Sequence, residues 1–186
     1  MKNKIILGID IDNTLTNNDT ERKLFSEFFN VKLDETITDH WATYVVTPEQ
    51  HKEFWSKNLK EIVTDSPLEN NVLEMIKKEF VKNADSIYII TARPIEFYSE
   101  TCNWLKENNV PFDKLIMTGG ESKIKYIKEL SINVMIDDQT SLFDDAFKDE
   151  TASIDCEFVK ILRPWNAITQ NQHRTFDPKL NGFVLP

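Results

Sequence analysis

Cysteine is scarce in this chain of 186 residues: Cys102 and Cys156 stand far apart, one in a helix-like and one in a strand-like segment. A disulfide framework is not expected, and both read as reduced core residues. The three histidines, His40, His51 and His173, form no ligand cluster. Surface positions are expected for them, with His40 the one candidate near a pocket. No segment approaches the roughly 20 consecutive apolar residues of a membrane span. The Lys2/Lys4 start and the apolar run behind it break at Asp10 without a small-residue cleavage site, so a soluble, cytoplasmic protein is expected. Basic charge is also in deficit, with 22 Lys and Arg against 31 Asp and Glu and a net charge of -9. That balance disfavours non-specific binding to a nucleic-acid backbone and leaves room for a small anion held through a metal ion. Repeats and low-complexity tracts are absent.

What remains is an ordinary globular composition, 40% hydrophobic and 28% charged, long enough for one good core and a small insertion. The run Ile5-Ile6-Leu7-Gly8-Ile9 reads as a buried central strand, and Asp10-Ile11-Asp12-Asn13-Thr14 leaves its carboxyl end. In open α/β sheets that end is where ligands bind. Two carboxylates so close repel each other unless a cation lies between them or one holds a proton. An isolated Asp-x-Asp is as readily a turn, so the reading depends on the residues further along the chain.

From Leu68 onward, helical and strand patterns alternate. Val72, Leu73, Ile76 and Phe80 form a helical stripe, 86–90 a buried strand, and Tyr98, Cys102 and Leu105 a second helical face. Then 112–117 is strand-like, Ile124, Ile127 and Leu130 are helical, 134–136 is strand, 141–147 a short helix and 158–162 a strand. This alternation predicts an α/β fold with a parallel sheet covered by helices on both faces. Between Thr16 and Pro67 the character changes. Leu24, Phe25, Phe28 and Phe29 make one helical stripe and Phe54, Trp55, Leu59 and Ile62 another, with Pro48 suited to a first helical turn. The expectation is a core of 1–15 and 68–186 with a small helical cap, 16–67, inserted after the first strand. The stretch 164–186 lacks periodicity and is expected as irregular chain.

Three further groups fall at the same edge of the expected sheet. Thr91 ends a strand and precedes Ala92-Arg93-Pro94; its hydroxyl and the following backbone N–H groups suit a phosphate oxygen, and Arg93 offers a planar donor fork. Lys123 opens a helix, where an ammonium offsets phosphate and carboxylate charge. Lys125 is its competitor, since residues two apart on a helix cannot point the same way. Asp137-Asp138 ends the strand Val134-Met135-Ile136, and oxygen ligands from two strand ends suit an octahedral Mg2+.

Asp-x-Asp, Thr, Lys and Asp-Asp, in this order and at strand ends, resemble the haloacid dehalogenase-type phosphatases over essentially the whole chain. Ile89-Ile90-Thr91-Ala92-Arg93-Pro94, the segment 122–130, Met135-Ile136-Asp137-Asp138 and Arg163-Pro164-Trp165-Asn166 resemble the 5'(3')-deoxyribonucleotidase-like branch. The resemblance implies a Rossmann-like core with a helical cap and a Mg2+-dependent phosphatase acting on a small phosphoester, foremost a nucleoside monophosphate. Asp10 would be the nucleophile and Asp12 the acid and base. Thr91 and Lys123 would hold the phosphoryl group. Mg2+ would be held by Asp10, the backbone carbonyl of Asp12 and Asp137, with Asp138 in support. An Asp at position 12, where superfamily ATPases carry Thr, favours a phosphatase. Asn13 departs from the common Gly but tolerates left-handed backbone. Other phosphoesters, a polynucleotide 3'-phosphate and a catalytically silent phosphate-binding protein are the alternatives, and a homodimer is compatible with the chain. Trp41 and Tyr44, off the helical stripes, are the cap residues expected to meet substrate, while the stripe phenylalanines are expected as core.

Overall fold

The computed structural model describes residues 4–33, 46–139, 142, 155–167 and 173–184. β1 (Ile5–Ile9) pairs in parallel with β2 (Ala84–Thr91) on one side and β4 (Val134–Asp137) on the other. β3 (Lys114–Met117) extends the sheet beyond β2, and β5 (Glu157–Ile161), β6 (Arg174–Asp177) and β7 (Gly182–Val184) extend it beyond β4. The order is β3-β2-β1-β4-β5-β6-β7, parallel except for the antiparallel β7. The chain therefore has the Rossmann-like α/β architecture expected from its alternating pattern.

Period-two alternation sends successive side chains to opposite faces. On β4 and β5, Val134, Ile136, Val159 and Ile161 join one cluster, while Met135 and Phe158 join the other. The first face is covered by α3 (Asn70–Glu79) through Val72, Leu73 and Ile76, and by α4 (Tyr98–Glu107) through Trp104 and Leu105. The second is covered by α5 (Lys123–Glu129) through Ile127. Leu7 and Ile9 of β1 are fully buried, each contributing roughly 1.5–3 kcal/mol by leaving water.

Gly8 lies between them on the second face. A Cβ there would stand 2.6 Å from the Met135 sulfur and 3.2 Å from Ile132. Met135 is itself fully buried. Gly8→Ala is accordingly expected to cost about 1–3 kcal/mol through overpacking. A thermal melt reads this directly, and an unchanged midpoint would show that the sulfur has room to move.

The segment after β1 carries α1 (Asp19–Phe29) and α2 (Pro48–Asp65). Pro48 occupies the first turn, and a capping box closes the start of α2: Gln50 N donates to Thr47 Oγ1 at 3.3 Å and Thr47 N to Gln50 Oε1 at 2.9 Å. The two helices bury a cluster of their own, Leu24, Phe25, Phe54 and Ile62, with the Phe25 and Phe54 rings 5.1 Å apart. Phe28, by contrast, is exposed. His51 is half-buried rather than a surface residue, accepting a hydrogen bond from the Trp55 indole at 2.9 Å, and His173 is half-buried with its ring 6.0 Å from Phe158. Where the segment leaves and rejoins the core, Thr16 bridges Leu68 and Glu69 N donates to Leu15 O at 2.7 Å.

A further expectation is overturned. The stretch after Pro164 is not simply irregular, because β6 and β7 join the sheet. At four and three residues these strands are too short to show a period, and buried Thr175 and Phe176 reveal themselves only against β5 and β7. Most of 141–147 lies outside the described residues, as do Trp41, Tyr44 and His40. Both cysteines are free and half-buried, and no helix among the described residues is long and apolar enough to cross a membrane.

Candidate active site

The chain leaves β1 toward β2 and leaves β4 toward β5, so the crevice between these adjacent strands is the topological switch point of the sheet. Asp10 follows β1 there, its N–H donating to Ile136 O at 3.0 Å, and Asp137 ends β4. A kinked turn, Ile11–Leu15, carries the chain away, with Asp12 in extended backbone (φ -72°, ψ 126°) and Asn13 in the left-handed region at φ 62°. Asn accepts that conformation more readily than most residues, which accounts for its presence where Gly is common.

Asp10, Asp137 and Asp138 are all buried, and each offers a carboxylate oxygen within 4.8 Å of the others. Lys123, the first residue of α5, reaches between two of them, its Nζ 2.6 Å from Asp10 Oδ1 and 2.7 Å from Asp137 Oδ2. Lys125 is exposed and lies over the Tyr126 ring, so Lys123 is the lysine of the site. Burial works against the Lys123 charge, but Asp10 and Asp137 outweigh it and hold the ammonium above its ordinary pKa. Burial pushes the Asp10 carboxyl well above the usual range; Lys123 opposes this, while Asp137, Asp138 and Asp12 add to it. Three buried carboxylates with convergent oxygens are a donor set that a small, hard divalent cation fits.

A second group adjoins the first. Asp12, its side chain 37% exposed, is clamped by Arg93, with Nε 2.9 Å from Oδ2 and Nη2 2.8 Å from Oδ1. The Thr91 hydroxyl donates to Asp12 Oδ2 at 3.4 Å and accepts from Arg93 N at 3.2 Å. Arg93 is buried and ties the group to neighbouring helices, with Nη1 3.3 Å from Val63 O on α2 and 3.4 Å from Thr101 Oγ1 on α4. The Asp12 carboxylate is not part of the three-carboxylate cluster, so its expected share in holding a cation rests on its backbone carbonyl.

Three residues given no role in the sequence analysis lie around this arrangement, and two of them brace it. Arg163, at the end of β5, donates to the carbonyls of Asn13 at 2.6 Å, Thr16 at 3.1 Å and Thr14 at 3.3 Å, and pairs with Glu69 at 3.3 Å. One guanidinium thus fastens the turn after β1 to the point where the inserted segment returns. Asn166 donates to Asp138 O at 2.8 Å and Ile161 O at 2.9 Å, while its Oδ1 accepts from Arg163 N at 2.9 Å. The third is Glu21 on α1, a buried carboxyl whose Oε1 has no hydrogen-bond partner among the described residues. It was legible only as a charged residue three and four positions before Leu24 and Phe25, on their apolar stripe.

Burial, reinforced by the Asp12 and Asp138 carboxylates, raises the Glu21 pKa to about 8. A carboxyl that gains a proton on folding stabilises the protein below its unfolded pKa and loses that contribution as pH rises toward the folded value. Between pH 4.5 and about 8 the penalty grows, with an upper bound of roughly 5 kcal/mol. In metal-free protein, Glu21→Gln is expected to raise the melting temperature more at pH 8 than at pH 5. An equal change at both pH values would show that Glu21 titrates normally.

No family model matches the chain. A Bacillus cereus protein provisionally named a nucleotidase is 31% identical over 153 residues, covering 74% of this chain and 78% of its own. The similarly named YqfW of Bacillus subtilis is 27% identical over 136 residues, covering 71% and 69%. A nucleotidase of Clostridium acetobutylicum is 23% identical over 133 residues, covering 70% and 68%. Among solved structures, a Thermotoga maritima protein provisionally titled a β-phosphoglucomutase superposes with a TM-score of 0.51 at 13% identity, covering 94% of this chain and 95% of that one. The fold is thus that of the haloacid dehalogenase-like proteins. The chain belongs, within it, to the family of these nucleotidase-named bacterial proteins.

Proposed function

We propose that the protein is a Mg2+-dependent phosphatase of small phosphate monoesters, acting on nucleoside monophosphates in the manner of a 5'(3')-nucleotidase. The observation that carries this reading is the pairing of two groups at one strand edge: Asp10 with Lys123 and Asp137, and Asp12 with Arg93 and Thr91. The nucleotidase names of the relatives support the substrate class.

Asp10, Asp137, Asp138 and the backbone carbonyl of Asp12 would hold Mg2+, which when bound supplies positive charge that polarises the phosphoryl oxygens and favours ionised Asp10. An Asp10 carboxylate oxygen attacks phosphorus, and the bond from phosphorus to the leaving oxygen breaks as Asp12 gives that oxygen its proton. Asp12, now a base, takes a proton from water as the water oxygen attacks the aspartyl phosphate. Inorganic phosphate departs and Asp10 is regenerated. Lys123, Thr91 and Arg93 supply donors to the phosphoryl oxygens, and the phosphoryl group offers Arg93 an anionic alternative to Asp12. The helices α1 and α2, which follow β1, would serve as part of a cap over the leaving group.

Phosphate release from nucleoside monophosphates, sugar phosphates and a 3'-phosphorylated oligonucleotide, with Mg2+ or with EDTA, tests the reading. Nucleotide turnover that EDTA abolishes is expected. Activity confined to sugar phosphates, or to the oligonucleotide, would rule out the nucleotidase.

A further inference from the structure

Glu21 has no place in the chemistry above, yet it is 8% exposed and leaves Oε1 without a partner among the described residues. Buried polar atoms are ordinarily satisfied, and an orphaned one near a reaction centre calls for a ligand. Its position suggests which. α1 begins at Asp19, three residues beyond the Thr16–Leu68 bridge, and the Glu21 carboxyl lies close enough to Asp12 and Asp138 to feel both charges. Asp12 is the residue that would protonate the leaving oxygen, so the atoms within reach of Glu21 are those of the leaving group near the scissile ester.

Resting on the phosphatase reading, we propose that Glu21 binds a hydroxyl of the leaving group and so determines specificity for sugar-bearing phosphate monoesters, the sugar of a nucleotide among them. A hydroxyl both donates and accepts, so it pairs with a carboxylate or with a carboxylic acid. A leaving group carrying a further phosphate would meet Glu21, Asp12 and Asp138 together and be repelled. A substrate whose leaving group lacks a hydroxyl would leave Glu21 as unpaired as it is in the free protein. Sites built to hydrogen-bond a hydroxyl discriminate strongly against analogues without one.

The test compares kcat/KM of wild type, Glu21→Ala and Glu21→Gln, each checked for folding by thermal melt, with Mg2+ present. The substrates are nucleoside monophosphates, their 2'-deoxy counterparts, sugar phosphates and p-nitrophenyl phosphate, whose leaving group lacks an aliphatic hydroxyl. Glu21→Ala is expected to lose at least tenfold more on the sugar-bearing esters than on p-nitrophenyl phosphate, and Glu21→Gln to recover most of that difference. Equal losses on all substrates, or none, would overturn the assignment. If wild type cleaves sugar phosphates but no nucleotide, the nucleotidase reading fails while the same ratio, taken on sugar phosphates, still decides Glu21. A wild type that prefers p-nitrophenyl phosphate to every sugar-bearing ester overturns the Glu21 proposal and leaves the phosphatase standing. No turnover of any ester overturns both.

Discussion

Asp10→Asn is expected to lower kcat by at least ~10^4-fold while leaving the fold intact, a loss on the scale of removing a covalent nucleophile. The two side chains are nearly isosteric, so β1 and the Asp10 N–H bond to Ile136 O are undisturbed. What changes is charge. Asp10 is buried among Asp12, Asp137 and Asp138, an environment that disfavours its ionised form and is only partly offset by Lys123. The amide removes one of the mutually repelling carboxylates, and Lys123 keeps its contact with Asp137 at 2.7 Å. Metal-free Asp10→Asn is therefore expected to melt at or above the wild-type temperature even as turnover vanishes. The combination separates a chemical from a structural role, because a variant inactive through misfolding would melt lower. Turnover of p-nitrophenyl phosphate above about 1% of wild type would eliminate Asp10 as the attacking group. Asp12→Asn complements it: leaving-group protonation and water activation both suffer, and the aspartyl phosphate on Asp10, once formed, is expected to persist long enough to appear in an intact-mass measurement.

The residues that these predictions address were legible because each lies at the end of a short apolar run or the start of a helix, where local pattern alone reveals position. Asp10 follows Ile5–Ile9, Thr91 ends β2, Asp137 ends β4 and Lys123 opens α5. Helical spacing said only that Lys123 and Lys125 point different ways; the structure decides between them, with Lys123 on Asp10 and Asp137 and Lys125 exposed. What supports the site was less visible because its contacts cross the chain. Arg163 meets the Asn13 carbonyl 150 positions away, and nothing in Arg163-Pro164-Trp165-Asn166 states that its guanidinium fastens the turn after β1. Arg93 is expected as a donor fork for substrate, but nothing local states that it is buried between Asp12, Val63 and Thr101. β6 and β7 escaped for a different reason. Strands of four and three residues carry too few alternations for a period, and their identity comes from pairing with β5 and with each other.

Lys123→Met is expected to separate stability from activity in the opposite sense to Asp10→Asn. Methionine keeps most of the length of the side chain and removes the ammonium that touches both Asp10 and Asp137. Asp10, Asp137 and Asp138 then remain buried with oxygens within 4.8 Å of each other, and Asp10 and Asp137 lose the ammonium they share. Removing one partner of a buried ion pair costs about 3–5 kcal/mol, because the remaining charges lose their compensation without regaining water. For a chain of this length that corresponds to a melting temperature lower by roughly 10 °C in EDTA. Divalent cation attacks the same deficit. An ion that binds only the folded protein stabilises it by mass action, and the variant site, more negative by one charge, is expected to bind Mg2+ more tightly than wild type. Added Mg2+ should therefore raise the melting temperature of Lys123→Met by more than that of wild type and close most of the gap. Turnover should not recover with it. Mg2+ replaces the missing charge but not the donor that Lys123 presents to the phosphoryl group, so kcat/KM is expected to stay ~10^2–10^3-fold down at saturating metal. A variant as stable as wild type in EDTA would show that the carboxylates relieve their repulsion by protonation alone; full recovery of turnover with Mg2+ would show that Lys123 serves the carboxylates and not the phosphate.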